Sequence, residues 1–182
     1  MKTSETLQLE DAIRKKYCTP FEYGCHEVTL GIGGSERVDF MTISSKDIVR
    51  CFEIKVSLAD LHSSAALSFK GHFNYLVVPR FLQEEALNFF CHKKIGILTG
   101  EMLEVVRKAR KQAVVPEALS LLKSSLIRSM ARELRKSDPN EYNILMRRLA
   151  RADFAIADMR QRLRTSRRQI AILKGYSEEE SK

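Results

Sequence analysis

The apolar segments 38–40 and 52–55 each place charge inside a predicted strand: Asp39 in the first segment, and Glu53 and Lys55 in the second. Successive side chains of a strand point to opposite faces of its sheet, so Glu53 and Lys55 point the same way. A carboxylate or an ammonium in a hydrophobic strand is costly unless it pairs or holds a cation. We therefore expect a fold in which these charged groups pair with one another or bind a cation.

A hairpin around residues 44–47, which read Ser-Ser-Lys-Asp, connects the two predicted strands. A register that places Asp39 opposite Glu53 also keeps Met41 facing Cys51. Directly opposed side chains lie about 5 Å apart at Cβ, which is close enough for two carboxylates to share one metal ion. The pattern predicts a site of paired acids. A cross-strand salt bridge at an exposed sheet edge is the alternative interpretation.

Helical and strand periods alternate along the first part of the chain, which indicates a mixed α/β fold. Ser57 supplies a helix cap with Asp60 three positions later, so a short helix is predicted directly after Lys55. The predicted strands cover about 25–31, 36–43, 48–56, 73–78 and 95–98, and the other predicted helices cover about 4–17, 81–90 and a segment from Glu101.

Beyond about residue 115 the pattern is helical. Leucines recur at helical spacing over 117–136, and residues 138–139 (Asp-Pro) supply a cap and a proline at the first position of another helix. Apolar residues then recur every three or four positions over 145–173, which is typical of a coiled-coil seam. This seam packs either on the preceding helix or on a second copy, so a homodimer stays open. We expect two domains, 1–115 and a helical extension, 116–182.

The net charge is confined to the second part of the chain, residues 101–182. Residues 1–100 carry 12 Lys/Arg and 12 Asp/Glu, whereas residues 101–182 carry 19 and 11, which is the entire +8 of the chain. Such a basic part indicates an anionic partner, with nucleic acid first, although a solvated helical surface is the alternative. We expect DNA to bind chiefly through its phosphates to Arg147, Arg148, Arg151, Arg160, Arg164, Arg167 and Arg168, with Lys70 as a further candidate contact.

The segments around the paired acids occur in a characteristic order: residues 27–30 (EVTL), 37–40 (RVDF), 53–57 (EIKVS) and 73–79 (FNYLVVP). In this order and spacing they resemble the PD-(D/E)XK nuclease superfamily, and more closely the MmcB-like DNA repair proteins and their phage relatives. The resemblance covers roughly residues 5–135, with Val38 where the motif often has proline. It implies a restriction-endonuclease-like αβββαβ core, here with a C-terminal helical or coiled-coil extension.

Hydrolysis of a phosphodiester needs a hard cation, because the phosphate is anionic and repels hydroxide. Mg²⁺ prefers oxygen ligands and usually takes one or two carboxylates from a protein. We expect Asp39, Glu53 and the backbone carbonyl of Ile54 to bind Mg²⁺ or Mn²⁺. Lys55 would hold the attacking water or offset charge that builds on the phosphate. In the superfamily, these are the roles of the matching residues.

A third acidic ligand is left open between two residues. Glu27 lies on the strand before Asp39 and matches the glutamate of the family's opening strand. Glu10 lies on the first predicted helix, where several branches of the superfamily carry an acid. Either residue is otherwise a surface carboxylate.

Three classes of function remain. The first is a metal-dependent DNA endo- or exonuclease of repair, recombination or phage DNA metabolism. The second is a nucleic-acid-binding module of nuclease fold that cleaves little or nothing, and the third is a helical assembly protein, against which the paired acids argue.

No apolar run approaches the roughly 18 residues that span a bilayer, and the polar N-terminus does not resemble a signal peptide. We therefore expect a cytoplasmic protein, bacterial or phage-encoded, with free thiols.

Overall fold

The computed structural model describes residues 2–31, 33–34, 36–63, 67–137 and 139–179. For residues 139, 141, 142, 145, 168 and 170–179 it describes the backbone but not the side chains. The chain forms two compact units, Met1–Arg132 and Glu133–Lys182. The first unit contains a mixed sheet with helices, which confirms the predicted α/β class.

Six strands form one sheet in which spatial order follows chain order. The first three strands form an antiparallel meander, the third, fourth and fifth strands are parallel, and the sixth is antiparallel to the fifth. The strands are β1 (Glu22–Thr29), β2 (Arg37–Ser44), β3 (Val49–Ile54), β4 (Phe73–Val78), β5 (Gly96–Thr99) and β6 (Glu104–Arg107).

The helices connect or flank these strands. Helix α1 begins after Thr3, whose hydroxyl oxygen accepts a hydrogen bond from the Thr6 amide, and the predicted cap at Ser57 is confirmed at the start of α2. The helices are α1 (Ser4–Tyr17), α2 (Leu58–Leu61), α3 (Gln83–Phe89, after a 3₁₀ turn at Arg80–Leu82), α4 (Pro116–Ser137) and α5 (Pro139–Glu179). The order from α1 through β4 is therefore αβββαβ.

The predicted hairpin register between β2 and β3 is confirmed. Met41 pairs with Cys51 and Phe40 pairs with Phe52. Continued by one residue, this register sets Asp39 beside Glu53. The alternation of the two strands therefore puts both acids on one face of the sheet, while the two phenylalanines lie on the other.

Different helices cover the two faces of the sheet. On one face, Leu9 and Ile13 of α1 pack in a core with Phe40 and Phe52. Phe52 also stacks on Tyr75, with ring centroids 5.1 Å apart. On the face that carries the acids, α4 covers one end and α3 the other. Each helix packs against an apolar cluster of the sheet, and Glu53 lies between the two clusters in the order of the strands. Leu122 and Leu126 of α4 pack with Met41 and Cys51 in the first cluster. Leu82 and Ala86, at and within α3, pack with Leu76 and Ile97 in the second.

The helix predicted from Glu101 is wrong, because residues 101–103 form a turn that leads into β6. Gly100 and Leu103 adopt left-handed backbone, with φ of 66° and 47°, and this reverses the chain. The turn buries Leu103 completely, which offsets the strain of its backbone. Val105 and Val106 then extend as β-branched residues do in a strand.

The boundary between the compact units differs from the predicted division at residue 115. Helix α4 begins at Pro116, but Leu122 and Leu126 pack in the sheet core, so the helix belongs to the first unit as far as Arg132. Strand limits also shift: β1 starts at Glu22 rather than near 25, and β3 ends at Ile54 rather than near 56.

The second unit contains the end of α4 and the 41-residue helix α5. The apolar seam of α5 stays a prediction, and several of its members are exposed within the chain, among them Leu149, Ile156, Met159 and Leu163. The predicted cap Asp138 lies outside the described residues, as does the side chain of Leu145. No described helix is both long and apolar enough to cross a membrane.

Replacing Leu126 tests whether α4 is part of the sheet core. Leu126→Ala should lower the free energy of unfolding by about 2–5 kcal/mol, because a buried leucine is truncated next to a close-packed cluster. Ile127→Ala is the matched control on the same helix, because Ile127 is 58% exposed, and its cost should stay below about 1 kcal/mol. Equal losses in urea titrations of the two variants would contradict this packing.

Candidate functional site

Two buried carboxyl groups form the centre of the candidate site. Asp39 on β2 and Glu53 on β3 lie within side-chain hydrogen-bonding distance of each other. Asp39 Oδ2 accepts a hydrogen bond from the Ile54 amide at 2.8 Å, and Glu53 Oε1 accepts one from the Ser68 amide at 3.0 Å. Glu53 is only 4% exposed. Backbone amides from two different segments therefore fix the orientation of both acids.

Burial controls the protonation of this pair. Together with the negative charge of Asp39, it raises the pKa of Glu53 to about 8, against the opposing effects of the Ser68 amide and the Lys55 ammonium. Burial also raises the pKa of Asp39, although the Ile54 amide and Lys55 oppose the rise. The pair therefore retains a proton near neutral pH unless a cation compensates its charge.

Lys55 lies directly after β3 and is 7% exposed. Its amide donates to the carbonyl of Val77 at 3.0 Å, which holds its backbone against β4. Its Nζ donates to Asp60 Oδ1 at 2.8 Å, and Asp60 belongs to the short helix α2 capped by Ser57. Its positive charge lowers the pKa of both Asp39 and Glu53, so the ammonium acts on the carboxyl pair while α2 restrains it.

The backbone carbonyl of Ile54 faces β2, the strand that carries Asp39. In an extended strand, the N–H and the C=O of one residue point to the same side. Because the Ile54 amide donates to Asp39, its carbonyl faces the β2 side as well, whereas the Lys55 amide faces β4. The structure thus offers one carbonyl and two carboxyl groups at the end of β3.

The two candidates for a third acid differ in their surroundings. Glu10 on α1 is 6% exposed, it binds the Lys2 ammonium, and its negative charge raises the pKa of Asp39. Glu27 has a φ of 48° and forms ion pairs with Lys2 at 3.1 Å and Arg37 at 3.7 Å. The hydrogen bond from Lys2 is the main reason that the pKa of Glu27 is lowered. Glu10 is therefore the acid that acts electrostatically on Asp39, and Glu27 is held by two cations.

The residues predicted to contact nucleic acid belong to other segments of the chain than the acid pair. Lys70 is half exposed and lies 3.6 Å from Glu36. The predicted arginines Arg147, Arg148, Arg151, Arg160, Arg164 and Arg167 are exposed along α5, and the side chain of Arg168 lies outside the described residues. Their binding to DNA phosphates stays a prediction.

Three residues of the site were not predicted from the sequence. Ser68 binds Glu53 through its amide, and its buried hydroxyl has no hydrogen-bond partner within the described part of the chain. Asp60 restrains Lys55, and Lys2 joins Glu10 to Glu27. The capping pattern at Ser57 was a signal for Asp60, because it fixes where α2 begins, whereas no sequence pattern relates Ser68 or Lys2 to the acids.

The donors present fit a hard divalent cation. No group of three His, Cys, Asp or Glu residues close enough to hold a metal occurs among the described residues. Mg²⁺, however, keeps several waters and commonly uses one or two carboxylates, which Asp39 and Glu53 supply together with the Ile54 carbonyl. A cation at this point would also remove the repulsion that raises the pKa of Glu53.

Comparisons with known proteins bear on the fold only. No family model matches the chain, and no curated protein matches it. Among solved structures, the chain is similar to the SPO1766 protein of unknown function from Silicibacter pomeroyi, with a TM-score of 0.61 and 21% sequence identity. The match covers 77% of this chain and 96% of that one. The two chains therefore share an α/β fold.

The raised pKa of Glu53 predicts a pH-dependent stability in metal-free protein. The folded state binds the Glu53 proton more tightly than the unfolded state, so stability should fall as pH rises from about 4.5 to about 8. In Glu53→Gln, the amide can still accept from Ser68 and donate to Asp39, as the protonated acid does. Denaturant titrations with a chelator should therefore show a wild-type loss on the order of 2–4 kcal/mol relative to this variant. Parallel pH profiles for the two proteins would refute the assignment.

Proposed function

We propose that this chain is a metal-dependent nuclease that hydrolyses phosphodiester bonds in DNA. The observation that carries the proposal is the contact between Asp39 and Glu53, with buried Lys55 acting on both carboxyl groups. A scaffold has no need of two neighbouring buried acids that both have a raised pKa, and such arrangements cluster at functional sites. The PD-(D/E)XK-like order of segments around them supports the same reaction.

Each residue of the site has a distinct role in this proposal. Asp39, Glu53 and the Ile54 carbonyl would hold Mg²⁺ or Mn²⁺, which when bound supplies charge neutralisation at the phosphate and a more acidic water. The Ile54 and Ser68 amides hold the two carboxylates in position for that task. Because both acids must be ionised to hold the cation, the proton that burial retains on Glu53 has to leave on binding.

Lys55 would act on the phosphate side of the site. An ammonium that is 7% exposed and fixed by Asp60 is poorly solvated, so its interaction with a developing negative charge is stronger than in water. It would orient the attacking water or offset charge on the reacting phosphate. Asp60 would position Lys55 without contacting the substrate.

The DNA itself would be held mainly outside the acid pair. The exposed arginines of α5 are the first candidates for contacts to phosphates, which would give affinity without base preference. A binding module that keeps the same fold and cleaves little is the alternative function. The acid pair favours the nuclease, because phosphate contacts alone would not need buried carboxylates that repel the DNA.

Substitutions at Glu53 and Lys55 should abolish most cleavage for different reasons. Glu53→Gln removes a charge that holds the metal, so it should weaken divalent-ion binding. Lys55→Ala keeps the metal ligands, so it should leave metal and DNA binding nearly intact while lowering the cleavage rate about 10²–10³-fold. The measurements are calorimetric Mg²⁺ titrations and cleavage of plasmid, single-stranded and branched DNA with Mg²⁺ or Mn²⁺.

Matched controls separate these effects from a general loss of charge. Glu84 on α3 and Lys46 in the β2–β3 turn are both exposed, so Glu84→Gln and Lys46→Ala should retain cleavage within about twofold of the wild type. A wild-type protein that binds no divalent ion and cuts none of the DNA forms would instead favour the binding module. Cleavage that survives Glu53→Gln would place the reaction elsewhere.

A further inference from the structure

A pocket of about 480 Å³ lies between the segment that leaves α3 and the segment that leaves β6. It is lined by parts of residues 91–95 and 107–110, at the edge of the sheet that β6 forms. The five cations of this lining, here called the basic pocket, are Lys93, Lys94, Arg107, Lys108 and Arg110. None of them was among the residues predicted to bind DNA.

Backbone contacts hold the two segments of the basic pocket together. Arg107 pairs with Ile97 across the β5–β6 ladder, and its Nε donates to the carbonyl of Ile95 at 3.0 Å. The Arg110 amide donates to the carbonyl of Lys94 at 3.4 Å. Strand pairing and hydrogen bonds at the sheet edge therefore bring these positive charges together.

The positive charge of the basic pocket is uncompensated within the chain. None of its five cations forms an ion pair with a carboxylate in the part of the chain that the structure describes. By contrast, Arg50 and Arg80 of the same unit are both paired with glutamates. Arg107 Nη2 is buried and has no hydrogen-bond partner among the described residues. A buried donor without a partner is costly, so a ligand that accepts from it would be favoured.

We propose that the basic pocket binds phosphate groups. Arginine and lysine side chains in a concave surface match the charge and the acceptor oxygens of a phosphate, and guanidinium groups bind it in a bidentate manner. The phosphates of a nucleic-acid backbone and free inorganic phosphate share this chemistry, and the test below separates the two sources. The inference goes beyond the proposed nuclease activity, because binding in this pocket needs neither the metal nor the acid pair.

The thiol of Cys91 allows ligand binding in the basic pocket to be measured. Cys91 lines it and is exposed, whereas Cys25 and Cys51 are buried and Cys18 is half buried; all four are free thiols. A phosphate-bearing ligand in the basic pocket should therefore slow the alkylation of Cys91. Mass spectrometry of the peptide that contains Cys91 measures this rate independently of cleavage.

The test uses the full chain with a chelator, so that no cleavage occurs. Wild-type protein, Lys94→Glu and Lys108→Glu are compared with Lys46→Glu, a control that makes the same change of charge at an exposed site in the β2–β3 turn. Binding of a labelled 20-nucleotide DNA is measured over a salt series. Each pocket variant should lower affinity more than the control does and reduce the slope of log K against log salt by about one.

The alkylation arm identifies the source of the phosphate. If micromolar oligonucleotide protects Cys91 and this protection is lost in Lys94→Glu, the pocket binds a nucleic-acid backbone. If only millimolar inorganic phosphate protects Cys91, the pocket binds the free anion. The proposal is overturned if neither ligand slows alkylation of Cys91, or if the protection that either ligand gives is unchanged in Lys94→Glu. Thermal melts of each variant confirm that the substituted surface lysines leave the fold intact. Because the metal is absent throughout, a failure of the nuclease assignment would not alter these results.

Discussion

The contact between the carboxyl groups of Asp39 and Glu53 is the interaction on which the rest of the structure depends. Two acids in a largely buried position are costly, and their cost is limited here by the Ile54 and Ser68 amides and by the Lys55 ammonium. Ile54 and Lys55 lie at the end of β3, whereas Ser68 lies in the segment before β4, so the hairpin register, the strand end and this segment all contribute to one site. Burial and the charge of Asp39 still raise the pKa of Glu53, and a divalent cation would oppose that rise.

The sequence predicted that Asp39 and Glu53 lie side by side, because the hairpin register follows from strand alternation. It also predicted the helix cap at Ser57, because a capping pattern is local in the sequence. It missed the interaction of Ser68 with Glu53, because a loop amide carries no pattern that relates it to a strand. It misassigned β6, because the turn depends on left-handed backbone at Leu103, which the sequence does not indicate. The amphipathic pattern of α4 predicts a buried stripe but not its partner, so the boundary at residue 115 came too early.

Positive charge in this chain occurs in two different settings. On α5 the arginines are exposed along a helix, an arrangement that binds phosphates without a fixed geometry. In the basic pocket, lysines and arginines line a concavity between two segments that hydrogen bonds hold together. The count of charge by sequence placed the excess in residues 101–182 as a whole, and it did not relate Lys93 and Lys94, which precede that segment, to the cations at 107–110. The fold brings the two segments together, so a basic surface forms from positions that are separate in the sequence.

Anomalous diffraction from crystals soaked in Mn²⁺ at or above pH 8 would test the central claim most directly. At that pH the acid pair can release its proton, since burial and the charge of Asp39 raise the pKa of Glu53 to about 8. The account predicts a peak about 2.0–2.3 Å from carboxylate oxygens of both Asp39 and Glu53 and from the Ile54 carbonyl. Manganese found only at exposed carboxylates, with Asp39 and Glu53 still bonded to each other, would contradict it.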